Sequence, residues 1–186
     1  MSTTFNSAVE ALRAVRLRPE IHLEEVPAPQ RIAPHSAALA GEVVRGPRAT
    51  DDVLASGRFV VLYDPAAPEA WEGPWRVVTF TRAHLEAELG ADALLGEVGW
   101  SWLTDAIHAN GAGYEALGGT VTRVVSESFG ALADRDGEVE IEVRASWSPT
   151  EPDLVDHLKI WTDLLCTVAG LPPLPEGVTA LPGQLR

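Results

Sequence analysis

The chain is poor in the residues that staple, coordinate or anchor. Its one cysteine, Cys166, has no partner for an internal disulfide, and no other ligand-forming residues gather near it in sequence. It lies in the apolar run Trp161-Thr162-Asp163-Leu164-Leu165-Cys166, where a thiol serves as a small buried hydrophobe rather than a nucleophile. No stretch approaches the ~18 consecutive apolar residues of a membrane span. Residues 1–18 lack the apolar core of a signal peptide and end in arginines, so a cytoplasmic protein is expected. Basic charge is scarce as well: 14 Lys and Arg stand against 27 Asp and Glu, a formal net charge of −13. Lys159 is the one lysine, a bias that matches GC-rich bacterial coding rather than a function. Such acidity excludes unaided binding to a phosphate backbone. The charge is uneven, because residues 1–50 balance six arginines against five glutamates and leave −14 for residues 51–186. Arg13, Arg16 and Arg18 are therefore either an interaction surface or, as is commoner, arginines docked on the acidic body.

What is present is ordinary for a folded protein. An apolar content of 46% and a charged content of 22% exclude wholesale disorder, and 186 residues suit a single domain (1–186) with a proline-rich tail over 171–186. Phe5, Val9, Leu12 and Val15 recur at helical spacing, which predicts a helix over 4–16 ended by Arg18-Pro19. Val26-Pro27-Ala28-Pro29 through Ala33-Pro34 must run extended. Strands are predicted over 35–45, 58–63 and 75–81. Leu85 and Leu89, four apart before Gly90, predict a helix over 82–90, and Trp100, Leu103 and Ile107 predict another over 98–110. Residues 120–132 and 138–147 read as a hairpin joined by Asp134-Arg135-Asp136-Gly137. In its second arm Val139, Ile141, Val143, Ala145 and Trp147 alternate with Glu138, Glu140, Glu142, Arg144 and Ser146, so one face is apolar and the other wet, with Arg144 placed to pair across the hairpin. Thr150-Glu151-Pro152-Asp153 opens a last helix that buries Leu154, Leu158, Trp161, Leu165 and Val168. The class is α+β: an antiparallel sheet of about five strands with helices on one face, ordered α-β-β-β-α-α-β-β-α.

Residues that could carry chemistry do not assemble into a known pattern. Among the histidines His22, His35, His84, His108 and His157, His108 stands three residues from Asp105 and His84 four from Glu88, each pair at helical spacing. Two ligands on one turn do not complete a metal site, and no metal or other cofactor is implied. Ser126-Glu127-Ser128-Phe129-Gly130 lies in a hairpin rather than at a strand-to-helix elbow, and Gly111-Ala112-Gly113 and Gly118-Gly119 lack a phosphate-cradle spacing. The six tryptophans stand out. Trp100 and Trp102, two residues apart on a helix, are separated by roughly 200° and do not share one core direction. One of them is expected at a loop contact, an interface or a pocket.

Several segments together resemble a known family. They are Leu17-Arg18-Pro19-Glu20 with Leu23-Glu24-Glu25-Val26-Pro27-Ala28-Pro29, Glu69-Ala70-Trp71-Glu72-Gly73, Glu97 through Ala106, Gly118-Gly119-Thr120-Val121-Thr122, Ser126 through Gly130, Arg144-Ala145-Ser146-Trp147, and Leu164 through Pro173. In this order and spacing, from about residue 6 to about residue 182, the chain is similar to the actinobacterial domain of unknown function 3000 family. The resemblance implies a bacterial cytoplasmic protein without an assigned activity or catalytic residues. It also implies, through genes neighbouring an RNase D-like exoribonuclease, a link to RNA metabolism.

The favoured expectation is a non-catalytic protein-binding or adaptor module, acidic and dimeric, with a topology similar to the type III secretion chaperone-like fold. Binding is expected to involve Trp71, Trp100, Trp102, Arg123, Glu127 and Arg144, with an apolar patch near Trp100 or Trp102. No direct nucleic-acid or membrane contact is expected. The alternatives are an enzyme or small-ligand binder, which requires Arg123, Glu127 and Arg144 to converge with Asp105 or His108, and an accessory factor in RNA metabolism, which requires a contiguous basic face around Arg13, Arg16 and Arg18.

Overall fold

The computed structural model describes residues 3–46 and 52–171, so most of the proline-rich tail lies outside the described residues. The element order is α1 (Thr3–Arg13), β1 (Ile21–Val26), β2 (His35–Val44), β3 (Val53–Tyr63), β4 (Trp75–Leu85), α2 (Leu95–Asn110), β5 (Tyr114–Ser126), β6 (Glu138–Pro149) and α3 (Val155–Val168). Short 3-10 segments interrupt the chain at Glu69–Trp71, Ala87–Ala91 and Gly130–Leu132. The class is α+β, as the alternation in β6 predicts. The sheet, however, has six strands rather than five, in the order β1-β2-β3-β4-β6-β5, with every neighbouring pair antiparallel.

The sixth strand is β1, which carries the weakest pattern. Only Ile21 and Leu23 mark its inner face before the glutamates, yet it pairs with β2 from Ile21 opposite Val43 to Val26 opposite Ala38. The helix predicted over 82–90 is also corrected. β4 runs on to Leu85, opposite Val139, and a 3-10 turn follows. The spacing of Leu85 and Leu89 imitates a helix, but Thr79, Thr81 and Ala83 are buried at period two, and the ladder with β6 wins. β5 ends at Ser126, opposite Glu138, instead of continuing to Leu132, because the chain turns through Gly130 at φ 62°. The α3 start is also shifted: the Asp153 carboxylate, not Thr150, accepts from the Val155 amide at 3.0 Å.

All three helices pack on one face of the sheet. Phe5 and Leu12 of α1, Leu95, Leu103 and Ile107 of α2, and the predicted stripe Leu158, Trp161, Leu165 and Val168 of α3 join Val139, Ile141, Val143, Ala145 and Trp147 of β6 in one core. Two indoles are wholly enclosed in it and keep their N–H groups satisfied, as burial demands. Trp147 Nε1 donates to His157 Nδ1 at 2.9 Å, and Trp161 Nε1 donates to Thr81 Oγ1 at 3.1 Å. The cost of desolvation pushes the buried His157 imidazole down to a pKa of about 4. Cys166 is buried too, which raises its pKa to about 11.

The other face of the sheet is not simply polar. Ala38, Val60 and Leu62 form a satellite cluster there, covered by Val26, Ala28, Ala33 and Trp71. The proline-rich crossing and the turn after β3 therefore roof one end of this face, and the rest is left open.

Candidate functional site

The open part of that face holds a groove of about 760 Å³. Its shape follows from register. Ala40 of β2 lies opposite Arg58 of β3, Arg58 opposite Phe80 of β4, Phe80 opposite Arg144 of β6, and Arg144 opposite Thr120 of β5. One continuous row thus crosses five strands. A neighbouring row, Val60, Val78, Ser146 and Gly118, supplies an apolar and small-residue floor, and Glu42 and Ser56 stand on the opposite flank.

Two backbone approaches underlie this row. A Cβ on Gly57 would collide with the Phe80 carbonyl oxygen, and one on Gly119 with the Arg144 carbonyl oxygen and the Trp100 ring. Glycine is required at both positions because the neighbouring strand occupies the space of a side chain.

The electrostatics of the groove differ from those of the whole molecule. The Arg144 guanidinium sits 5.1 Å from the centre of the Phe80 ring and is bridged at 2.9 Å to Glu142, two residues along its own strand rather than across the hairpin. Arg58 is exposed, and it forms no ion pair among the described residues. Arg76, on the same face, spends its donors on neutral oxygens: the Ala116 carbonyl at 2.9 Å, Ser148 Oγ at 3.1 Å and Ser146 Oγ at 2.6 Å. Burial lowers its pKa from the usual arginine value. In a chain of net charge −13, the groove is lined by two arginines, Arg58 and Arg144, against one glutamate, Glu42.

The sequence-predicted site residues are not brought together. Arg144 is in the groove. Trp71 is half-buried in the roof of the satellite cluster. Trp100 and Trp102 both pack on the main core from opposite flanks of α2: Trp100 leans over Gly119, and Trp102 faces a cleft with Arg18, Asp105 and Cys166 between α2 and α3. Arg123 is exposed and donates to the Asp92 carbonyl, and Glu127 is exposed in the loop after β5. His84 and Glu88 do not share a helix, since one is in β4 and the other in the following turn. Arg58 and Phe80, central to the groove, carry only a strand signal in the sequence. The available signal was phase: Val78 and Phe80 are apolar on the same side of β4 as Arg76 and Arg82, which marks that side as more than a solvated surface.

Of Arg13, Arg16 and Arg18, two are bridged within the molecule. Arg13 reaches Glu25 at 2.9 Å and Glu10 at 3.0 Å, and Arg18 reaches Glu20 at 3.4 Å. Hydrogen bonding to Arg13 holds the Glu25 carboxyl below its ordinary pKa. Among the described residues no cluster of three or more His, Cys, Asp or Glu side chains could hold a metal, and no helix is long and apolar enough to cross a membrane.

No curated protein and no solved structure matches the chain. Residues 1–179 match the family described as protein of unknown function (DUF3000), and the chain belongs to that family.

Proposed function

We propose that this protein is a cytoplasmic binding module that takes an extended polypeptide segment along the open face of its sheet. Acidic side chains of the segment would lie over Arg58 and Arg144, and an apolar side chain over Phe80 and Val78. The observation that carries this reading is the row Arg58–Phe80–Arg144, an apolar ring between two guanidiniums with Arg58 lacking a carboxylate. Guanidinium groups recognise carboxylates in fork geometry, and an aromatic between them adds buried area. A catalytic reading that gathers Arg123, Glu127 and Arg144 with Asp105 or His108 finds no support, because Asp105 and His108 are exposed on the helical layer and Arg144 is on the opposite face. An RNA-facing reading finds little, because Arg13 and Arg18 are already bridged to glutamates.

The test is a selection from a display library of random linear peptides, run in parallel on the wild-type protein and on Arg58→Glu/Arg144→Glu. Enrichment of sequences with acidic residues beside an aromatic or aliphatic one, lost in the double variant, supports the proposal. Absence of enrichment, or enrichment that the double variant retains, overturns it.

A further inference from the structure

The sheet has two edges, and they are built differently. An open edge presents unpaired backbone N–H and C=O groups and invites another strand unless it is blunted. β1 is blunted: it is six residues long, carries Glu24 and Glu25, and runs into Pro27. β5 is not. From Gly118 to Ser126 its residues are exposed apart from Val121, and this stretch contains no proline and, in Arg123, one charged residue. No turn, loop or cap of the described residues makes a backbone hydrogen bond to this stretch, and its ladder is with β6 alone.

Apolar surface continues across this edge instead of ending at it. Val124 is 42% and Val125 51% exposed, while Leu94 and Val98, at the start of the helix that packs against β5, are 58% and 37% exposed. Trp100 leans over Gly119 within the same stretch. Exposed apolar side chains beside an unpaired strand mark a surface that another molecule covers.

We infer that β5 pairs antiparallel with β5 of a second copy of this chain, joining two sheets of six strands into one. Antiparallel pairing about a two-fold axis uses the same strand on both copies, so one surface suffices. Residues 118–126 carry no acidic side chain, in a chain whose net charge is −13. Its size is adequate: nine residues span about 30 Å, and strand plus helical layer is about 20 Å deep, so each copy covers about 600 Å², or about 1,200 Å² in total, the lower end of specific interfaces. The groove reaches Gly118 and Thr120 on the same strand, so the open faces of the two copies would adjoin.

The experiment is sedimentation of the full chain at high concentration, combined with amide hydrogen exchange. The wild type is expected to sediment at twice the mass of the 19.9 kDa chain, with amides of 118–126 protected in a concentration-dependent way. The exposed substitution Val124→Asp is expected to halve the mass and abolish that protection, with an unchanged circular dichroism spectrum. Arg58→Glu/Arg144→Glu is expected to remain dimeric, which separates this inference from the groove reading. A wild type that stays monomeric at high concentration overturns it, as does a dimer that survives Val124→Asp with 118–126 unprotected.

Discussion

Acidification is expected to loosen the core through His157. This side chain is 2% exposed, and its Nδ1 accepts the hydrogen bond of the enclosed Trp147 indole, so the folded protein requires the neutral ring with its proton on Nε2. Burial depresses its pKa from 6.5 to about 4. Between those values the unfolded chain binds a proton that the folded chain refuses, so this contribution is intact above the unfolded value and is lost as pH falls toward the folded one. The full shift corresponds to about 3 kcal/mol, of which about 2 kcal/mol is lost between about pH 7 and about pH 5. His157→Asn is the matched control, because its side-chain oxygen can accept from Trp147 but does not titrate. Urea denaturation of both proteins at the two pH values isolates the effect, since carboxylates such as Glu25 titrate equally in each. The wild type should lose about 2 kcal/mol more than His157→Asn on acidification. Equal losses would refute the reasoning and place His157 in contact with water.

Two further predictions concern packing. Gly57→Ala should cost about 2 kcal/mol or more in chemical denaturation, because its methyl group meets the backbone of Phe80 and no side chain can yield; a neutral effect would mean that β3 and β4 are less closely apposed. Cys166, with its pKa raised to about 11 by burial, should resist a thiol-specific disulfide reagent in the native state and react once denatured, and fast native labelling would contradict its enclosure.

How far the fold can be read from the residues depends on how many faces an element buries. β6 buries one clean face, and its alternation predicts Val139, Ile141, Val143, Ala145 and Trp147 one by one; α3 buries a wider surface, so its predicted stripe is buried but omits His157, Ile160, Leu164 and Cys166. β4 was legible to Thr81 and then lost, because the spacing of Leu85 and Leu89 offers a helical alternative that only pairing with Val139 removes. β1 is not legible because an edge strand needs few apolar residues and its partner, β2, supplies the rest. The groove was the least legible feature. Arg58, Phe80 and Arg144 are separated by long stretches of chain and become neighbours only through strand order, in particular the insertion of β6 between β4 and β5. No local spacing encodes that. Trp100 and Trp102 carried a stronger sequence signal, yet both are engaged with the core, where large aromatics contribute most by area.

The open face, rather than the helical layer, is the surface proposed to meet a peptide partner. Nuclear magnetic resonance titration of the full chain with a peptide carrying acidic residues beside an aromatic one addresses this residue by residue. Shifts are expected for Ala40, Arg58, Phe80, Thr120 and Arg144, and none for Trp102, Asp105 or Cys166. Shifts confined to the cleft between α2 and α3, or no shifts at saturating peptide, would contradict the account.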